Sequence, residues 1–324
     1  MLIAFVLGLF LSLGHVTGLE AREVNLDIWD VDDSCKPYIT LLQKAVDDVA
    51  TMSAKALRDL KFVQQPRPQQ DTKRRESLEW DRVARAVNNI FGFNPDKQGT
   101  NSENKFMQRV LEVYDNMSTA LHGNENIPAK GFTSLYSKAL LICGDKAWKC
   151  IGICRSKVYA VTQAKYDMIT FCDLSFTETT RGVVSPVDGK DKVVEGVTKL
   201  DDFAESLSCI VVHELAHWYG SKKEKEGDIT RPPDQQAVSP RGELVFQYLD
   251  QNNVPIAVLS SARKDGVQYK EASVYHELTQ LGKSDGYVRV ARLAMRHEGQ
   301  FAENSGPIKA TDTAEAYAYF AMMA

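Results

Sequence analysis

The sequence predicts an α+β fold in which helices, a small mixed sheet and a second group of helices follow one another along the chain. Three observations predict it: helical hydrophobic spacing in the first third, short β-rich runs in the middle, and renewed helical spacing towards the end. With 324 residues, of which 44% are hydrophobic, the chain can bury one large core or two modest ones.

The first residues, MLIAFVLGLFLSLGHVTGLEA, hold an apolar run from Leu2 to Leu13 that is too short to span a bilayer. Small and polar residues follow the run, as in a secretory signal peptide. The pattern predicts such a peptide over residues 1–18, with cleavage as late as residue 21. We therefore expect a secreted, extracellular protein with no membrane-spanning segment.

The cysteines are consistent with export. An even number of cysteines in an exported chain predicts up to three disulfides, whose pairing the sequence leaves open. All six follow the apolar run: Cys35, Cys143, Cys150, Cys154, Cys172 and Cys209.

Residues 19–130 contain three amphipathic segments. The segment 35–63 carries apolar residues at helical spacing, and the segments 76–92 and 103–121 repeat the pattern. Loops rich in Pro and Gly separate them. These helices form either a removable pro-region or part of one continuous domain with residues 131–324, and the sequence leaves both possibilities open.

The hydrophobic period changes after residue 130. Short β-rich runs at 138–143, 158–164 and 167–176 predict strands joined by polar turns. These strands are expected to form the small sheet.

Helical spacing returns after the sheet. A helix is predicted over about 202–219, capped near Asp201 or Asp202 and closed by Gly220. Further helices are expected at about 242–251, 268–281, 287–301 and 313–324.

The helix predicted over 202–219 contains His213-Glu214-Leu215-Ala216-His217. Residues four apart lie on one face of a helix, so the two histidines can present nitrogen atoms to a single ion. Zinc takes such ligands, and catalytic zinc sites commonly combine three protein groups with one water. Glu214 lies between the histidines, where it can act as general base and then acid. The pattern predicts a hydrolytic site with Zn²⁺ as cofactor.

The third zinc ligand is not fixed by this motif. Lys223 stands where one class of such sites places a third histidine six residues after His217. Glu243 and Glu271 follow in no recognisable motif and are more simply surface residues of helices. Three aspartates remain candidates: Asp228, Asp265 and Asp285.

Two C-terminal segments resemble the fungal deuterolysin-like metallopeptidases, the aspzincins. In that family the HExxH motif precedes a Gly-Thr-x-x-Asp-x-x-Tyr-Gly type motif, which GKSDGYVRVARLA (282–294) resembles. The resemblance implies Asp285 as the third zinc ligand and Tyr287 as a hydrogen-bond donor to the transition-state oxyanion. Lys283 replaces the family's Thr and the Asp-to-Tyr spacing is shorter, so Asp228 and Asp265 stay open.

The last segment, TDTAEAYAYFA (311–321), resembles a second aspzincin pattern, Asn-Ala-Asp-x-Tyr-Ala-x-Phe-Ala. Glu315 stands at the family's aspartate and Tyr317 at its tyrosine. Together the two resemblances imply a zincin-like metallopeptidase fold for residues 131–324.

Residues 130–324 are also similar to secreted fungal pH-regulated zinc-binding antigens and major allergens, at ITFCDLSFTE, SDGYVRVARLA and AYAYFA. Many of that group carry His-Arg-x-x-His, which keeps both histidine ligands but loses the base. This chain keeps Glu214, which favours hydrolysis over zinc binding alone.

The sequence thus supports two main hypotheses. The first is a secreted zinc-dependent endopeptidase, in which a strand within 157–173 holds an extended protein or peptide substrate by main-chain hydrogen bonds. The second is a zinc-scavenging protein that uses the same ligands without turnover. A helix with incidental histidines and no metal is a third. Nucleic acid is not expected as a partner, because the net charge is −4 and phosphate binding needs a basic surface.

Overall fold

The computed structural model describes residues 24–100, 104–123, 139–145, 153–154, 158–163, 166–194, 197–223, 229–239, 243–272, 286–295 and 306–324. Helices and small sheets are combined in it, which confirms the α+β class. The signal peptide predicted over residues 1–18 lies outside the described residues. Among the residues described, no helix is long and apolar enough to cross a membrane.

The N-terminal part is helical, as predicted. It consists of α1 (Ile39–Gln64), α2 (Arg74–Phe91) and α3 (Lys105–Gly123). Each helix buries its apolar stripe, because residues three and four apart lie on the same face. Contacts join α1 to both α2 and α3.

A four-stranded sheet has the order β1 (Asp30–Val31), β2 (Leu140–Cys143), β4 (Met168–Phe171), β3 (Ala160–Gln163). The pairs β1–β2 and β2–β4 are parallel, whereas β3 is antiparallel to β4 and lies at the sheet edge. The strands predicted at 138–143 and 158–164 are confirmed. The segment 167–176 is a strand only as far as Phe171, because a 3₁₀ turn follows from residue 173 to 176.

Helix α7 (Leu207–Tyr219) carries the HExxH motif and is shorter than predicted. A separate turn, α6 (Asp201–Ala204), precedes it. The cap of α7 is Ser206, whose hydroxyl accepts a hydrogen bond from the Cys209 amide at 3.3 Å. The prediction of a cap near Asp201 or Asp202 is therefore wrong. The Asp201 carboxylate instead accepts hydrogen bonds from distant residues, the Tyr287 amide at 3.0 Å and the Tyr319 hydroxyl at 2.5 Å.

The core is continuous from the N-terminal helices to the last helix, α10 (Ala314–Met323). Helices α1, α3 and α10 all pack against α7, and fully buried residues of α7 such as Val212 and Ala216 belong to the same hydrophobic cluster as Leu60 of α1. The Cys35–Cys143 disulfide also links the start of the N-terminal region to β2.

The prediction of a helix at 242–251 is wrong, because this segment forms a strand. There β7 (Val245–Leu249) pairs antiparallel with β8 (Pro255–Leu259) and β9 (Lys270–Glu271). The segment 268–281, predicted to be a helix, contains β9 near its start instead. Residues 273–281 of this segment lie outside the described part of the chain.

Two further helical predictions agree with the structure. Helix α8 (Gly286–Ala294) begins the stretch predicted at 287–301, and α10 confirms the terminal helix. The other short elements are α4 (Glu178–Gly182), α5 (Pro186–Gly189), α9 (Pro307–Ala310), β5 (Lys222–Lys223) and β6 (Ile229–Thr230).

Two disulfides, Cys35–Cys143 and Cys154–Cys172, are formed among the described residues. Cys150 lies outside them. Cys209 is a buried free thiol on α7, and burial raises its pKa to about 12.

Candidate metal centre

Helix α7 brings together the two histidines of the motif. The Nε2 atoms of His213 and His217 are 2.9 Å apart, and their rings meet edge to face with centroids 4.6 Å apart. This arrangement follows from the i, i+4 spacing, which stacks the two side chains on one face of the helix. Both side chains are mostly removed from solvent, with His217 almost fully buried.

A carboxylate from a loop completes a group of three. Asp234 Oδ1 lies 3.0 Å from His217 Nε2 and 3.3 Å from His213 Nε2. No motif in the sequence singles out the segment that holds it, RPPDQQ. Its two prolines before the aspartate were the only local sign of a fixed backbone.

None of the three aspartates proposed from the sequence as the third ligand is seen beside the histidines in the described part of the chain. Asp228 and Asp285 lie outside the described part of the chain. Asp265 is described, and it is exposed in a turn and belongs to none of the groups that could hold a metal ion.

The loop that carries Asp234 is fixed on the helix end. The ring nitrogen Nδ1 of His217 lies 2.5 Å from the carbonyl oxygen of Pro232, so this nitrogen donates and leaves Nε2 facing Asp234. Gly220 closes α7, as predicted, and allows this approach. A Cβ atom at Gly220 would lie 2.5 Å from Pro232 Cγ, so any larger residue would push the loop away.

Glu214 is 3% exposed and lies three residues before His217, so their side chains are neighbours on the helix. The hydroxyl of Thr162, on the edge strand β3, lies 2.6 Å from Glu214 Oε2 and 3.1 Å from the Glu214 main-chain oxygen. Ligand atoms of His213, Glu214 and His217 all fall within 4.8 Å of one another. The sheet edge therefore orients this carboxylate beside the histidines.

A second carboxylate, Glu315, reaches the group from the first turn of α10. One ligand atom from each of His213, Asp234 and Glu315 lies within 4.8 Å of the others. Glu315 Oε2 accepts the Gln235 amide at 2.7 Å, whereas Oε1 is buried and none of the described residues gives it a hydrogen bond. In the sequence, Glu315 matches only a family pattern, and no role in metal binding is expected for it there.

The charges of the group shift its pKa values. Burial acts to lower the pKa of His213, but the nearby carboxylates of Glu315, Asp234 and Glu214 outweigh it and raise the pKa to about 9. Burial acts to raise the pKa of Asp234, but hydrogen bonds with the two histidines bring it well below its usual range. Burial raises the pKa of Glu315. The metal-free group thus attracts positive charge.

The predicted oxyanion donor, Tyr287, makes its contacts elsewhere. Its hydroxyl accepts a hydrogen bond from Asn89 of α2 at 3.5 Å, and its ring lies 6.3 Å from that of Tyr319. Tyr317 is fully buried, and its hydroxyl donates to the Thr311 carbonyl at 2.7 Å. Neither hydroxyl has a described hydrogen bond to the histidines or to Glu214.

A further cluster, Asp145 with Cys154 and Cys172, also has metal-ligand spacing. Its two sulfurs are joined in a disulfide, so they cannot act as thiolate ligands. Among the described residues, the groups that can hold a metal ion are therefore those that contain His213.

Scans of the chain against protein-family models and against curated proteins find no match. The geometry of the chain itself is thus the basis for any functional assignment.

Proposed function

We propose that the protein is a secreted zinc-dependent endopeptidase with a zincin-like fold in residues 131–324. The observation that carries the proposal is the position of Glu214. Its buried carboxylate lies beside a His213–His217–Asp234 group and is oriented by the edge strand of the sheet.

The donor set suits zinc. Imidazole and carboxylate groups are common zinc ligands, and bonds of about 2.0–2.2 Å in a tetrahedron separate neighbouring ligand atoms by about 3.3–3.6 Å. Within the group the His213–Asp234 separation of 3.3 Å reaches that span, and the other two separations, 2.9 and 3.0 Å, are slightly shorter. The bond from His217 to the Pro232 carbonyl supplies the outer support that metal-binding histidines need.

Glu214 would carry the proton transfers. When bound, zinc would lower the pKa of a water molecule towards neutrality and polarise the scissile carbonyl. Glu214 then accepts a proton from the attacking water and delivers it to the leaving amine. The Thr162 hydroxyl holds Oε2 of Glu214, which fixes the direction of the carboxylate.

The substrate would bind along β3. Within the described residues this strand pairs with β4 alone, so its other edge offers main-chain groups to an extended peptide. Because Thr162 of β3 contacts Glu214, a peptide on that edge lies next to the base. This supports an endopeptidase over an enzyme that acts on small molecules.

The N-terminal helices would remain in the mature enzyme. Helices α1 and α3 cover α7, and their removal would expose the buried face of the helix that carries the motif. The two disulfides support an exported protein, in agreement with the predicted signal peptide.

A second candidate function is zinc capture without turnover. Glu315 favours it, because a fourth protein donor near His213 and Asp234 can occupy the position that a catalytic water needs.

A paired experiment separates the two. The zinc content of the purified protein is measured together with cleavage of unfolded casein, with and without a chelator, for the wild type and for Glu214→Gln. We expect one bound zinc, chelator-sensitive cleavage, and a loss of about 10²–10⁴-fold in the variant with zinc retained. Glu243→Gln, which changes a buried glutamate outside the site, serves as the control and should keep full activity.

Bound zinc without cleavage by the wild type would favour capture. A protein that binds no zinc would exclude both functions and leave a helix with incidental histidines.

A further inference from the structure

The carboxylate of Glu315 has one oxygen that no described residue contacts by a hydrogen bond. The Glu315 residue is 8% exposed, and its Oε2 accepts the Gln235 amide at 2.7 Å, whereas its Oε1 is buried and has no hydrogen-bond partner among the described residues. Buried polar atoms are almost always paired, and a buried carboxylate without a partner is costly. An orphaned oxygen on a side chain that lies near two candidate metal ligands, His213 and Asp234, therefore points to a bound cation.

The position of Glu315 fits a ligand. Its ligand atom lies within 4.8 Å of those of His213 and Asp234. Its Oε2 accepts a hydrogen bond from the amide of Gln235, the residue after Asp234. Ligating carboxylates are usually held in this way, with one oxygen on the metal and the other hydrogen-bonded.

Glu214 differs from Glu315 in this respect. The Thr162 hydroxyl contacts its Oε2, and neither of its oxygens is among the buried unpartnered atoms of the described residues. The two glutamates thus differ: Glu214 is held by the sheet edge, whereas Glu315 keeps one buried oxygen without a hydrogen-bond partner among the described residues.

We propose that Glu315 is a fourth protein ligand, so that the resting site holds zinc by His213, His217, Asp234 and Glu315. This inference rests on the proposed zinc binding and concerns how the same site is closed. Four protein ligands leave no place for a solvent ligand in a tetrahedral site. Access of water or substrate to the metal then requires Glu315 to move or the coordination number to rise.

The test compares metal affinity and open coordination in Glu315→Gln and the wild type. Glutamine keeps an oxygen that can accept the Gln235 amide, so the variant removes the charge and preserves the loop contact. We expect zinc affinity, measured by competition with a chromogenic chelator, to fall about 10–100-fold or more. In Co²⁺-loaded protein, azide should change the visible absorption spectrum of Glu315→Gln but leave that of the wild type unchanged.

Glu243→Gln is the matched control, because Glu243 is equally buried and accepts a main-chain amide from Ser261. It should match the wild type in both measurements. If Glu315→Gln does not fold, the azide titration of the wild type decides alone, since a spectral change would show an open position.

Unchanged zinc affinity in Glu315→Gln, or an azide response in the wild type, would overturn the inference while zinc binding and peptidase activity stand. Failure of the wild type to bind either metal would overturn the proposed function and this inference together.

Discussion

The two halves of the metal centre are built differently. His213, Glu214 and His217 come from α7, which lies in the core between α1, α3 and α10. Asp234 comes from a loop whose position depends on a few contacts, chiefly Pro232 with His217, Pro233 with the Ala314 amide and Gln235 with Glu315. The helix half is fixed by regular geometry, whereas the loop half is fixed by single interactions, so single substitutions should disturb the loop half more selectively.

The largest effect is expected from Asp234→Asn. The substitution keeps the size of the side chain but removes the charge that lies 3.0 Å from His217 Nε2. Zinc affinity should fall by more than about 100-fold, because even partners outside the coordination shell contribute 10–100-fold. Chelator competition measures the loss, and Asp265→Asn, at an exposed turn, should leave the affinity unchanged.

Asp285→Asn tests whether the third ligand is Asp285 instead of Asp234. If it abolishes zinc binding while Asp234→Asn does not, the third ligand belongs to the segment that resembles the aspzincins. The loop half described above would then be only a neighbour of the site.

A smaller effect is expected from Gly220→Ala. The backbone at Gly220 is in the right-handed helical region, which alanine can adopt, but its Cβ would lie 2.5 Å from Pro232 Cγ and 2.6 Å from the Ala216 main-chain oxygen. Overpacking of this kind costs about 1–3 kcal/mol of stability, and the displaced loop should also weaken zinc binding. Urea unfolding and chelator competition measure the two consequences.

Gly182→Ala is the matched control, because no atom of the described residues lies within 4 Å of a Cβ at that position. It should change stability by less than about 0.5 kcal/mol. Equal effects of the two substitutions would show that the contact between Gly220 and Pro232 does not hold the loop.

The smallest effect concerns pH in the metal-free protein. The folded-state pKa of His213 is raised from 6.5 to about 9, so its contribution to stability is fully present below pH 6.5 and is lost as the pH rises through about 9. Between pH 6.5 and 8 the free energy of unfolding of chelator-treated protein should fall by about 1–2 kcal/mol from this group. The lowered pKa of Asp234 does not contribute there, because its stabilisation is lost only in acid.

Urea unfolding at several pH values in this window measures the slope. Asp234→Asn should flatten it, because it removes one of the charges that raise the pKa of His213. A stability that rises from pH 6.5 to 8 in the wild type would contradict the charge arrangement of the site.

Several features were determined by the sequence alone because they depend on local geometry. The i, i+4 spacing of His213 and His217 requires only a helix to bring the rings together, and the helix ends at Gly220 as predicted. The amphipathic segments of the N-terminal region and the short β-rich runs of the middle region likewise have periods that are visible in the sequence.

The tertiary structure decided the rest. The run Val245–Leu249 became a strand because Pro255–Leu259 and Lys270–Glu271 pair with it, and no local period revealed those partners. Asp234 reached the histidines because Gly220 admits Pro232, and Glu315 joined it across 80 residues through the Gln235 amide. Such contacts depend on the packing of distant segments, which leaves no periodic trace in the sequence.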